Sequence, residues 1–304
     1  MAKITYFGPD RFWFDRGFFD GDGLAADMEV RLSSATKIVA VNPATHARVI
    51  ALGTGFSLDP VTEEPTGGTI TSMTFKENGI QAQITGISLD FPTFVAALDA
   101  VNSPYDTGQL DALFAQYAWT IDATQAVAGV FHLDAVSPLK PVTLKGSAYD
   151  DLLQGGDAAD KMVGNGGADA LAGGGGNDKL FGGAGADMLE GGRGQDLAVG
   201  GGGRDMLWGG RGADRLNGGR GDDFLDGGLG ADLFIFNGRA NEGSDVIADF
   251  DDGFDRIRIA GASFDDLTIA NGADGAVVTL ASGTEITLLD VDAASLDASD
   301  FIFV

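Results

Sequence analysis

Ten aspartates recur at every ninth position of this chain: Asp151, Asp160, Asp169, Asp178, Asp187, Asp196, Asp205, Asp214, Asp223 and Asp232. Carboxylates at a fixed interval offer hard oxygen ligands, and stacked on one another they repel unless a cation lies between them. A divalent ion taking six to eight oxygens fits that need. Calcium is favoured over magnesium, because a cage of Asp carboxylates and turn carbonyls does not impose strict octahedral geometry. The chain has no Cys and two His, so a zinc or copper centre has little support.

The carboxylates need an element that stacks them, and the surrounding residues supply it. Gly146 to Ile235 divides without insertion or deletion into ten nine-residue units with the consensus GGxGxDxUx, where U is apolar. The apolar row reads Leu153, Met162, Leu171, Leu180, Leu189, Ala198, Leu207, Leu216, Leu225 and Phe234. Glycine at positions one, two and four permits positive φ and tight turning. The last three residues of each unit form a short strand, and its alternation sends only U inward. One unit is then a half-turn, and two units close an 18-residue coil. Ten units predict five coils, roughly 24 Å of stack at about 4.8 Å per strand. Alternate units share a side, which gives two ladders of five aspartates with four gaps each, hence up to about eight Ca2+ ions. The pattern weakens at Tyr149, Ala158 and Asn165, so the first sites are the poorest, and Ala198 thins one core row. A flexible Gly/Asp linker is the alternative, but a linker needs no phase-locked apolar position.

These units resemble the RTX (repeats-in-toxin) family of hemolysin-type calcium-binding repeat proteins, whose nonapeptide builds a parallel β-roll. The resemblance implies calcium-triggered folding outside the cell. It also implies one-step export by a type I secretion exporter that reads the C-terminus. The terminal Ser299-Asp-Phe-Ile-Phe-Val304 looks like that signal, an acidic residue followed by apolar ones; an ordinary edge strand is the plainer reading. The segments Ser244–Phe250 and Gly253–Ile259 resemble the region capping such rolls. Neither the HExxH motif of RTX zinc proteases nor the GxSxG elbow of RTX lipases occurs.

The fold class expected for the whole chain is mainly β: residues 1–134 an N-terminal α+β domain, 135–145 a Pro-containing linker, 146–235 the β-roll, and 236–304 a β-rich cap with the secretion signal. Strands are expected at Lys37–Val41, Arg48–Leu52, Thr69–Phe75 and Ile80–Leu89, the last two joined through Glu77-Asn-Gly79. Helices are expected over Phe91–Val101 and Thr107–Ala118, behind the candidate caps Asp90 and Asp106. Asp20-Gly-Asp-Gly23 reads as a polar turn rather than a calcium loop. In the C-terminal part, further strands are expected at Ala276–Leu280 and Glu285–Leu289.

The net charge of −26 is spread as about −7, −8 and −11 over residues 1–145, 146–235 and 236–304. That argues against nucleic acid and anionic membrane surfaces as direct partners. No segment has the length of a membrane span. The N-terminus lacks the apolar run of a cleaved signal peptide, and the family resemblance outweighs that absence in placing the protein outside the cell. The functional reading is an exported calcium-binding protein with a structural, matrix or adhesive role, and with cell-surface or matrix components or copies of itself as partners. An extracellular hydrolase or lyase with an unfamiliar site in residues 1–134 is the rival class, and capture of a small ligand a third. No catalytic residue stands out: Glu63-Glu64 lies in a Pro-flanked loop, and His46 and His132 belong to no recognised motif.

Overall fold

The computed structural model describes strand backbones within residues 1–134 and the whole of residues 140–304. Two compact units separate, one of residues 1–127 with 132–144 and one of 128–131 with 145–304. Strands β1 (Lys3–Tyr6), β2 (Met28–Ser34), β3 (Lys37–Val41), β4 (Arg48–Leu58), β5 (Pro65–Glu77), β6 (Ile80–Asp90) and β7 (Trp119–Asp122) form an antiparallel sheet in chain order. β8 (Phe131–Asp134) and β9 (Val142–Lys145) follow. All four strands read from the sequence of this unit are present. Glu77 pairs with Ile80, so two residues, Asn78-Gly79, join β5 to β6, as an Asn-Gly hairpin requires. The expected helices 91–101 and 107–118, the run 20–23 and His46 lie outside the described residues.

The second unit is a parallel β-solenoid. Its strands are β10 (Asp151–Gln154), β11 (Lys161–Gly166), β12 (Ala170–Gly175), β13 (Lys179–Ala184), β14 (Met188–Arg193), β15 (Leu197–Gly202), β16 (Met206–Arg211), β17 (Arg215–Arg220), β18 (Phe224–Leu229) and β19 (Leu233–Asn237). Odd and even strands make separate parallel sheets, each residue pairing with the one 18 positions on, as Leu180 does with Ala198 and Leu189 with Leu207. The inward position is sealed: Leu153, Met162, Leu180, Leu189, Ala198, Leu207, Leu216, Leu225 and Phe234 have no exposed surface. A buried Leu contributes about 1.5–3 kcal/mol, so the two apolar rows drive the coils together.

Two expectations are corrected here. Full repeats carry strands of six residues rather than three, because ladder pairing runs on through positions one to three of the next unit. Parallel pairing also continues past residue 235. β20 (Ser244–Ile247) joins β18, and β21 (Arg256–Ala260) joins β19, giving about six turns instead of five. β22 (Leu267–Asn271), not foreseen from the sequence, pairs antiparallel with β23 (Gly275–Leu280), which pairs with β24 (Glu285–Leu289). β24 lies parallel to β20, and β25 (Phe301–Phe303) lies parallel to β21. The only helices among the described residues are two 3-10 turns, Phe264–Asp266 and Ala298–Asp300, and no described helix could cross a membrane.

Candidate metal centre: two ladders of buried aspartates

The glycines that turn the chain divide into two kinds. From the third unit to the ninth, positions two and four carry positive φ, as at Gly201 (117°) and Gly203 (135°), while no glycine at position one does. Position one is glycine for want of space. A Cβ on Gly200 would stand 2.3 Å from Asp205 Oδ2 and 2.7 Å from the Gly218 carbonyl oxygen. Two oxygens from successive coils therefore converge on a gap that any side chain would fill. Position four is crowded from the other direction, since a Cβ on Gly203 would lie 1.8 Å from the carbonyl oxygen of Gly185, one coil earlier. Tyr149 and Ala158 stand at position four in the first two units, which have no earlier repeat coil to press against. Asn165 takes the position-two conformation itself, at φ 79°, as Asn does more readily than most residues.

All ten sequence-predicted aspartates are buried, and they form two files. In each file the backbone N–H of one Asp donates to Oδ1 of the Asp one coil on. Asp187 N reaches Asp205 Oδ1 at 2.9 Å, and Asp178 N reaches Asp196 Oδ1 at 2.7 Å. The second carboxylate oxygen is then left over. Oδ2 of Asp169, Asp178, Asp187, Asp196, Asp205, Asp214, Asp223, Asp232 and Asp245 is buried with no hydrogen-bond partner. A buried carboxylate oxygen with nothing to hold it costs several kcal/mol, of order 1–3 at the least. Nine of them in register make a repeated acceptor that a cation between successive coils would satisfy. The first coil differs: Asp151 Oδ2 accepts from Ser147 N (2.5 Å) and Ser147 Oγ (3.1 Å), and Asp160 Oδ2 accepts from Gly156 N (2.8 Å).

Sequence reasoning missed Asp245 and Asp255. Asp223 N donates to Asp245 Oδ1 (3.0 Å) and Asp232 N to Asp255 Oδ1 (2.8 Å), so each file has six members. Their signal was present as Asp245-Val-Ile247 and Asp255-Arg-Ile257, the Asp-x-apolar half of the repeat without its glycines. Asp255 Oδ2 is satisfied by Asp251 N at 2.9 Å, which closes its file.

Burial raises these carboxyls far above the ordinary 3.8. Asp169, Asp178, Asp205, Asp232 and Asp245 are pushed up to about 7, and Asp214 to about 6. Loss of solvent is the largest cause, the backbone N–H at Oδ1 opposes it, and repulsion from neighbouring aspartates adds to it. Desolvation thus outweighs the mutual repulsion that the spacing alone brings to mind. No three acidic or imidazole side chains converge among the described residues, so backbone carbonyls must complete any coordination shell. Stacked carboxylate oxygens, with glycine carbonyls beside them, form a hard-oxygen donor set of the kind calcium takes.

The family profile of the RTX calcium-binding nonapeptide repeat matches residues 143–171, 163–198 and 199–234. Residues 143–234 are RTX calcium-binding repeats. No curated protein matches the chain significantly. Among solved structures, similarity extends to the extracellular lipase LipA from Serratia marcescens, with 18% identity and a TM-score of 0.29. That match covers 57% of this chain and 42% of the lipase, so it spans less than half of the lipase's length. The AlgE6R3 subunit of the Azotobacter vinelandii mannuronan C5-epimerase is 28% identical with a TM-score of 0.25, over 58% of this chain and 86% of that one. The RTX repeats supply the oxygen ladders, and β20 and β21 extend both ladders beyond the matched span.

Proposed function

We propose that this is an exported protein whose RTX roll folds when it binds calcium outside the cell, and which then serves a structural, matrix or adhesive role. The nine orphaned, buried Oδ2 atoms carry the reading. Metal-free, they make the folded roll costly; calcium between successive carboxylates removes that cost, so binding free energy becomes folding free energy. Asp151, Asp160, Asp169, Asp178, Asp187, Asp196, Asp205, Asp214, Asp223 and Asp232 hold the ions, together with Asp245 and Asp255. Two six-membered files leave five gaps each, one more per side than the repeats alone. The gaps beside Asp151 and Asp160 are the weakest, because the backbone already occupies their oxygens.

Calcium is scarce inside cells and abundant outside, so the chain would thread through a type I exporter unfolded and fold on arrival. The exporter would read the acidic-apolar run at 300–304. Calorimetric titration of the full chain with calcium, followed in parallel by circular dichroism, tests the reading. Several ions bound with a concurrent rise in β signal is the expected result. A roll equally folded in chelator would remove calcium from its folding.

A further inference from the structure

Position seven of each repeat points outward, and the roll's internal packing does not fix what stands there. On the even-numbered sheet it is an apolar row: Leu152, Ala170, Met188, Met206 and Phe224. On the odd-numbered sheet the same position reads Lys161, Lys179, Leu197, Arg215, Leu233 and Arg256, paired rung to rung. Beside it runs the position-nine row Val163, Phe181, Val199, Asn217, Ile235 and Arg258. Strands β11, β13, β15, β17, β19 and β21 contain no acidic residue at all. They hold six of the ten Lys and Arg residues that follow residue 145, in a chain of net charge −26. Lys161, Lys179 and Arg215 are exposed, and none makes an ion pair with a described residue. Lys161 Nζ sits 5.8 Å from the centre of the Phe181 ring. Of the others, Arg256 donates to its neighbour's carbonyl, Asp255 O, at 2.6 Å, and lies near Asp297; Arg220 lies near Glu242.

We infer that this face binds an extended acidic polysaccharide, with its carboxylates on the Lys161–Lys179–Arg215–Arg256 row and its sugar rings against the Val163–Phe181–Val199 row. The cations stand in single file at multiples of the strand spacing, about 24 Å from first to last rung. Such a file suits one extended chain rather than a broad surface. A uronate ring offers both halves of the match, an apolar C–H face and an anionic edge. Duplex DNA presents a charge every ~1.7 Å, a far denser line than this single file of cations, and gains nothing from the apolar row. The inference extends the matrix role proposed above; it needs the roll to fold with calcium and does not need the export step.

The test uses the full chain in calcium and a soluble oligogalacturonate as probe, with a neutral oligosaccharide as control. Each exposed cation facing a carboxylate is worth ~1 kcal/mol in water, about fivefold in affinity. The triple variant Lys161→Gln, Lys179→Gln, Arg215→Gln is therefore expected to weaken binding at least tenfold. Arg193→Gln with Arg211→Gln, on the opposite sheet, is expected to change it less than twofold. Circular dichroism is read on every variant, so a roll that fails to fold with calcium counts against the calcium reading instead. A folded roll that ignores the oligogalacturonate, or binds it equally after the triple change, overturns the polysaccharide. Equal or tighter binding of a DNA duplex or of phosphatidylglycerol vesicles through the same cations also overturns it. So does a dimer in calcium that the triple variant disperses, since that would make a second copy the occupant.

Discussion

In chelator the roll should be folded in mild acid and unfolded in mild base, whereas calcium should keep it folded in both. Five of its aspartates are raised from 3.8 to about 7 by burial in the folded, metal-free state. A raised carboxyl favours folding below its unfolded value, where both states carry the proton, and that stability drains away as pH climbs through the folded value. About three units at ~1.36 kcal/mol each give a ceiling of ~4 kcal/mol per carboxyl. Sharing of protons along each file and water at the loop surface cut that by at least half, leaving ~10 kcal/mol over the five. That matches the ~5–15 kcal/mol stability of an ordinary domain, so the ionised, metal-free roll cannot stand. Calcium at about a hundredfold over its Kd contributes ~2.7 kcal/mol per ion, so about four ions restore it. Far-UV circular dichroism in EGTA, scanned from about pH 8 to about pH 5.5, should show β structure rising as pH falls through 7. The same scan in calcium should show β structure throughout, because calcium holds the ionised carboxylates at about pH 8 and protons take its place on them in acid. A chelated roll fully folded at about pH 8, or one that acid leaves unfolded, would refute the desolvation account.

Three other outcomes bear on separate parts of the reasoning. Asp187→Ala and Asp205→Ala should each cost more bound calcium by calorimetry than Asp151→Ala, and Asp245→Ala should behave like the mid-ladder pair, since all three hold an orphaned Oδ2 and Asp151 does not. Gly203→Ala should raise the calcium midpoint of folding, because its φ is 135° and the new Cβ would meet the Gly185 carbonyl. The strain is of order 1–3 kcal/mol at least, whereas Gly202→Ala, with nothing within 4 Å, should leave the midpoint in place. Ile302→Asp with Val304→Asp changes two residues that are 41% and 61% exposed. The pair should cut secretion through a type I exporter, measured as medium against cell pellet, while leaving the calcium-induced β signal intact.

The sequence alone determined the roll's inner arrangement: the inward Leu and Asp positions, the 18-residue coil, the two alternating files and the preference for calcium. A strict period permits this, because each unit meets the same neighbours and one solution serves them all. Tertiary structure decided whatever depends on what lies one coil away. It separated glycines needed for positive φ, such as Gly203, from Gly200, which must leave room for a carboxylate and a carbonyl. It showed why Tyr149 and Ala158 are tolerated only in the first coil. It drew Asp245 and Asp255 into the files although their glycines are gone, since the file needs only an Asp whose Oδ1 meets the N–H of the coil before. It also gathered Lys161, Lys179, Arg215 and Arg256 into one row. They stand 18, 36 and 41 residues apart along the chain, the last step including a loop that breaks the period, and only parallel stacking makes them neighbours.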